Sequence, residues 1–198
     1  MSFLLLASGS PRRRQLLKAL GLSFRIVKPR SLSESRRSGE KPEALVRRLA
    51  QAKAQEVANR YSSSWVLGAD TVVALGSQVL GKPVNAEAGR KMLRALSGRT
   101  HRVLTGLALL GPGGTFRRIH EETTRVTFRR LTNRELDAYL KTKEPFDKAG
   151  GYAIQGTAAD WVSEIRGDYF NVVGLPLEWL AAQTFRLGIR KKERRRCR

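Results

Sequence analysis

Trp65-Val66-Leu67-Gly68-Ala69-Asp70-Thr71-Val72-Val73-Ala74-Leu75 is an apolar run with one carboxylate in its middle. Residues 65–69 and 71–75 have the β-branched and aliphatic make-up of a strand buried in a core. Gly76-Ser77 then turns the chain into a second short strand over residues 78–80. Asp70 breaks the pattern. A carboxylate there is desolvated unless a metal or a cation meets it. The end of a buried strand is a common place for a metal ligand or a general base. The plainer reading is a turn aspartate following Gly68-Ala69.

Working outward, residues 3–7 read as a short buried strand. Ser10-Pro11 supplies an N-cap and a first-turn proline for a helix that carries Leu16, Leu17 and Leu20 and ends at Gly21. Residues 24–27 form a second strand, residues 28–41 a polar irregular stretch, and Pro42 opens a longer helix to about Tyr61. Beyond the central run, residues 87–96 are helical and end at Ser97-Gly98. Residues 103–110 and 115–128 flank the hairpin signal Gly111-Pro112-Gly113-Gly114. Thr132 and Glu135 have capping-box spacing. A glycine-rich stretch over 148–156, a strand over 161–165 and a last helix from Leu177 complete the chain. Helices alternate with strands around antiparallel pairs, which predicts an α/β fold with a mixed sheet.

The chain has 198 residues, enough for one domain or two small lobes around one cleft. Hydrophobic residues at 41% and charged residues at 28% exclude a disordered chain. No apolar run approaches the ~20 residues of a membrane helix, and no basic segment precedes residues 3–7 as a secretory signal requires. A cytoplasmic protein without membrane contact is the expectation. The one cysteine, Cys197, excludes an internal disulfide, and His101 and His120 lack metal-ligand spacing. No G-x-S-x-G occurs, so a serine hydrolase is unsupported. The net charge is +21; residues 186–198 hold eight basic residues against one acid, so the preceding 185 residues keep +14. Such a body attracts polyanions, nucleic acid non-specifically among them. Residues 189–198 read as a disordered basic tail and residues 1–188 as one catalytic domain.

Three more features break local rules. Arg12, Arg13 and Arg14 sit in the first turn of a helix, where cations oppose the helix dipole. Either this is a solvated basic turn, or an anion docks on the free N–H groups and resolves the conflict, with Ser8 and Ser10 adding hydroxyls. Lys53 lies on the apolar stripe Val46, Leu49, Ala50 and Val57, so it either snorkels out or meets an internal anion. Gly76 to Lys82 fits the first seven positions of a P-loop, but Pro83 replaces the required hydroxyl residue, which excludes one. Lys82 beside the proline remains suited to a phosphate contact.

Ser8-Gly9-Ser10-Pro11-Arg12-Arg13, Gly68-Ala69-Asp70-Thr71-Val72-Val73, Gly81-Lys82-Pro83, Ser97-Gly98-Arg99-Thr100-His101, Glu144-Pro145, Asp147-Lys148-Ala149-Gly150, Tyr152-Ala153-Ile154-Gln155-Gly156 and Gly167-Asp168-Tyr169, followed by Val172-Val173-Gly174-Leu175-Pro176, resemble the Maf family of nucleoside triphosphate pyrophosphatases. The resemblance runs in order over residues 4–186. It implies the inosine-triphosphatase-like (Maf/Ham1) architecture, an elongated mixed sheet with helices and two lobes around a cleft. It also implies hydrolysis of a nucleoside triphosphate to monophosphate and pyrophosphate with a divalent cation, Mg, Mn or similar, and a homodimer. Asp70 would be the catalytic carboxylate, with the metal ligands left open and Asp70 one candidate. Arg13, Lys53 and Lys82 would surround the phosphates, with Ser8 and Ser10 nearby. Glu34 would assist from the polar stretch, but its surroundings match poorly and it is not counted among them. Arg12, Thr71 and Gln155 stand where the dTTP/UTP subgroup carries its specificity residues. The competing reading is a basic nucleic-acid-binding protein, or one regulating septum formation and division.

Overall fold

The computed structural model describes residues 4–30, 32–142 and 144–189. Phe3, at the head of the first expected strand, and residues 190–198 of the expected tail lie outside them. Ile189, at the tail's start, is buried against the main core.

The elements follow the order β1 (Leu4–Ala7), α1 (Pro11–Ala19), β2 (Phe24–Ile26), α2 (Pro42–Arg60), β3 (Trp65–Leu75), β4 (Gln78–Leu80), α3 (Ala86–Leu96), β5 (Thr100–Leu110), β6 (Arg117–Phe128), α4 (Asn133–Leu140), β7 (Val162–Arg166), α5 (Tyr169–Val173) and α6 (Leu177–Arg186). The strands form one mixed sheet in the order β2-β1-β3-β5-β6-β7, with β4 paired to β3. β1 runs parallel to β2 and β3, and the remaining pairs are antiparallel. This is the expected α/β architecture, drawn out along three strands of 11 or 12 residues. Asp70 does not end the strand but lies within it. β5 starts at Thr100, earlier than the apolar pattern suggests, because His101 turns inward against Phe128 and Tyr152. No helix among the described residues is long and apolar enough to cross a membrane.

Among the described residues, helix α2 alone covers one sheet face; α1 and α3 to α6 contribute to the continuous core on the other. The reason α2 seats so closely is legible at two glycines. A Cβ on Gly68 would lie 2.2 Å from the Ala50 carbonyl oxygen, and one on Gly106 would lie 2.2 Å from that of Val46. Both are backbone contacts with no room to yield. The rows facing α2 are Val66/Leu110, Gly68/Ala108, Asp70/Gly106, Val72/Leu104 and Ala74/Arg102. Their apolar members fall into two clusters, one on each side of the Asp70/Gly106 row. The carboxylate therefore sits in the gap between two small cores, directly under the helix.

Gly106→Ala should lift α2 from the sheet and destabilise the protein by about 2 kcal/mol, within the range for overpacked sites. Gly81→Ala, where an added Cβ meets nothing within 4 Å, should cost little. Urea unfolding of both variants checks the contrast; equal stabilities would remove the close approach as a constraint.

Candidate active site

On the α2 face, Lys53 projects down from the helix and its Nζ lies 2.6 Å from Asp70 Oδ1 and 2.6 Å from Glu34 Oε1. The Lys53 and Asp70 side chains are nearly buried, at 13% and 11% exposure, while that of Glu34 is 60% exposed. Lys53 thus does not snorkel; the apolar stripe carries it to an internal anion. Partial burial works to raise the Glu34 carboxyl, but the hydrogen bond and charge of Lys53, with Lys82 and Arg13 behind it, outweigh this and hold it below its ordinary value. A cavity of about 410 Å³ opens beside this cluster, lined by Ser8, Gly9, Lys28, Leu32, Glu34 and Lys53 among others.

The opposite face carries Arg13. Its Nε donates to the Gly174 carbonyl at 2.9 Å, and Nη1 donates to Ser8 Oγ at 3.2 Å and to the Ala69 carbonyl at 3.0 Å. Nη2 donates to Thr71 Oγ1 at 2.9 Å. The guanidinium fills the place next to β3 where β1 stops, since Ala7 opposite Gly68 is the last paired residue. Burial lowers its pKa, and the Asp70 carboxylate opposes that shift. Ser8 and Ser10 are engaged at the same corner: Ser8 Oγ accepts from Arg13 and from the Ser10 N–H, and Ser10 Oγ caps α1 by accepting the Arg13 N–H. Thr71 Oγ1 also lies 2.9 Å from Thr105 Oγ1, which donates to the Asn171 carbonyl. Asn171 Nδ2 in turn donates to the Val103 carbonyl and to Thr124 Oγ1. A polar row, Thr71/Thr105, therefore lies on this face at the level of Asp70/Gly106 on the other.

Lys82 follows β4, is exposed, and forms no hydrogen bond or ion pair among the described residues, yet its charge reaches Glu34. The backbone bond from Gly150 N–H to the Gly81 carbonyl, 3.0 Å, ties its turn to the glycine-rich segment. Arg12 contributes to the field at Asp147, at the start of that segment. Gln155 is exposed and forms no side-chain hydrogen bond or ion pair among the described residues. Of the residues expected from the sequence, Asp70 and Lys53 touch directly. Arg13, Ser8, Ser10 and Thr71 form a second bonded group, and Arg12 and Lys82 are linked to the site by their fields.

Glu34 stands outside the set of residues expected from the sequence. It lies in an irregular stretch with no periodicity to fix its direction, and only the folded chain brings it to Lys53. The two carboxylates that meet at one ammonium offer oxygen donors of the kind hard divalent cations take, with phosphate oxygens completing the shell. No cluster of three His, Cys, Asp or Glu side chains suited to a metal occurs among the described residues. The donor set fits a cation shared with a phosphorylated ligand.

Residues 3–185 match the sequence pattern of the family described as Maf-like protein. A dTTP/UTP pyrophosphatase of Geobacillus sp. (strain WCH70) is 48% identical over 95% of this chain and 100% of its own. Proteins of that same name from Myxococcus xanthus (strain DK1622) and Moorella thermoacetica are 49% and 51% identical, covering 95% and 89% of this chain and 94% and 91% of theirs. Among solved structures, the Ham1 protein of Staphylococcus aureus superposes over 96% of this chain and all of its own, with a TM-score of 0.55 at 14% identity, a likeness of fold alone.

The segment bearing Gln155 is anchored by a titratable contact. His101 Nε2 lies 2.7 Å from the Tyr152 hydroxyl, and both rings are buried against Phe128. Burial depresses the His101 pKa to about 4 from 6.5. The folded protein therefore keeps His101 neutral where the unfolded chain takes up a proton. Stability from this group is full above pH 6.5 and lost as pH falls toward 4, amounting to about 2 kcal/mol between pH 8 and pH 5. Urea unfolding across that range should show the loss, and His101→Phe should flatten it; an unchanged slope in the variant would place the titration elsewhere.

Proposed function

The chain belongs to the Maf family, and we propose that it is a dTTP/UTP pyrophosphatase acting at the α–β phosphoanhydride bond. The observation that carries the chemistry is the buried Asp70 carboxylate held on Lys53 beside a cavity of about 410 Å³. Relatives of that name, about half identical over nearly the whole chain, support the substrate.

In this reading water attacks the α-phosphorus in line with the leaving pyrophosphate. Lys53 occupies Asp70 Oδ1 and orients the carboxylate, so the second oxygen accepts the proton of the attacking water. The water oxygen bonds to phosphorus, the bond to the α–β bridging oxygen breaks, and pyrophosphate leaves with that oxygen. Lys53, Lys82 and the field of Arg13 stabilise the charge that develops on it. A divalent cation such as Mg²⁺ or Mn²⁺, held by Asp70 and Glu34, would supply Lewis-acid stabilisation of the phosphoryl oxygens. Ser8 and Ser10 act through Arg13 and the start of α1, which they hold.

We assign base selection to Arg12 on α1, to Thr71 on the side of β3 away from α2, and to Gln155 in the glycine-rich segment. A glutamine amide both donates and accepts, which suits a pyrimidine edge. Thr71 works through Arg13, whose Nη2 it receives. The net charge of +21 draws polyanionic nucleotides toward the protein. The cytoplasm, where these nucleotides are used, is the setting of the reaction.

A panel of nucleoside triphosphates assayed with Mg²⁺ or Mn²⁺ should release pyrophosphate, not phosphate, and fastest from dTTP and UTP. Phosphate release would mean another bond and another class of enzyme. Asp70→Asn should lower turnover by at least about a hundredfold while thermal unfolding stays near the parent's, because Lys53 retains Glu34. Near-normal activity would remove Asp70 from the mechanism. Lys82→Ala should cost about a hundredfold in kcat/KM. Gln155→Glu should depress use of dTTP and UTP relative to purine nucleotides; an unchanged ranking would sink the specificity role.

A further inference from the structure

The phosphate end of the site lacks an uncommitted cation in its inner wall. Lys53 is shared between two carboxylates. Arg13 spends four of its five N–H groups on Ser8, Ala69, Thr71 and Gly174. Lys82 is free but stands on a separate turn. One more lysine lines the 410 Å³ cavity with Ser8, Glu34 and Lys53, and it is Lys28.

Lys28 is presented from a fixed backbone. The Val27 N–H continues the pairing of β2 with β1 by donating to the Leu6 carbonyl at 3.0 Å. The Lys28 carbonyl accepts from Arg60 Nη2 at 3.1 Å, and Arg60 is itself held by Glu56 at 2.8 Å. The Lys28 stem lies along Gly9: a Cβ at Gly9 would stand 3.3 Å from Lys28 Cε, 3.6 Å from Cδ and 3.7 Å from Cγ. With its apolar length laid on the floor of the cavity, the lysine keeps an ammonium that pairs with nothing among the described residues. An unpaired ammonium held beside an anion-binding cavity is a phosphate contact in waiting.

We propose that Lys28 binds the pyrophosphate portion of the substrate and of the product. The assignment rests on the reading of the chain as a dTTP/UTP pyrophosphatase. In that reading the base lies with Arg12, Thr71 and Gln155, and Asp70 marks the α-phosphorus. The β and γ phosphates then run into the cavity beside Lys53, which Lys28 also lines. With Lys28 counted, four cations face the two carboxylates Asp70 and Glu34, a balance suited to a polyanion.

The test compares Lys28→Ala and Lys28→Arg with the parent, and with Lys91→Ala as an exposed lysine carrying the same change in net charge. Lys28→Ala should raise KM for dTTP about tenfold and weaken inhibition by pyrophosphate by a similar factor, a tenfold change being about 1.4 kcal/mol. Its inhibition by dTMP should stay within twofold of the parent's, Lys28→Arg should recover most of the loss, and Lys91→Ala should match the parent. A Lys28→Ala enzyme with the parent's KM and pyrophosphate inhibition overturns the assignment. So does equal weakening of pyrophosphate and dTMP, which would mark a structural role. Calorimetric titration of pyrophosphate into the parent and Lys28→Ala proteins reads the contact without turnover. If the parent hydrolyses neither dTTP nor UTP, the activity fails while this titration still decides whether Lys28 holds pyrophosphate.

Discussion

Helix α2 lies on the sheet with its backbone against β3 and β5, and this closeness sets up the rest of the structure. It exists because Gly68 and Gly106 present no side chain to Ala50 and Val46. A lysine one helical turn away can then reach the middle of a buried strand. Without that reach Asp70 would be a desolvated carboxylate with no partner, a situation that costs about 3–5 kcal/mol when one member of a buried pair is removed. The helix packing and the ion pair are thus one arrangement. The two apolar clusters under α2 flank the charged row on either side.

Arg13 is the link between the two faces. It bonds the edge of β3 at Ala69, the Thr71 hydroxyl behind the strand and the Gly174 carbonyl that leads into α6, while feeling the Asp70 charge across the sheet. Thr105, Asn171 and Thr124 continue the network toward the cap of α5, where Asp168 accepts the Phe170 and Asn171 N–H groups. Polar groups this enclosed are tolerated because nearly each has a partner. They fix the segment 167–176 against the sheet more narrowly than apolar packing would.

Much of this arrangement is legible in the sequence because the residues involved contradict their surroundings. Asp70 interrupts an apolar strand and Lys53 interrupts an apolar helix stripe, and each conflict is resolved by the other. Capping at Ser10 and at Thr132 with Glu135 follows from local spacing alone. What escapes is what local rules do not encode. Glu34 sits in a stretch without periodicity. A strand glycine such as Gly106 signals a bulge or a close approach equally well, and only the position of α2 decides between them. Arg13 reads as an anion receptor at a helix start, whereas the folded chain directs four of its donors inward. Helix α5, five residues long, is too short to show a period.

Asp70 and Thr71 are consecutive, so the pleat of β3 sends one side chain to each surface of the sheet. On the proposed assignment, base selection and bond cleavage are thereby set on opposite surfaces of a single strand. Drift among the positions facing α1 would then retune the choice of nucleotide without disturbing the acid beneath α2. A lineage built on this frame can change its diet while keeping its teeth.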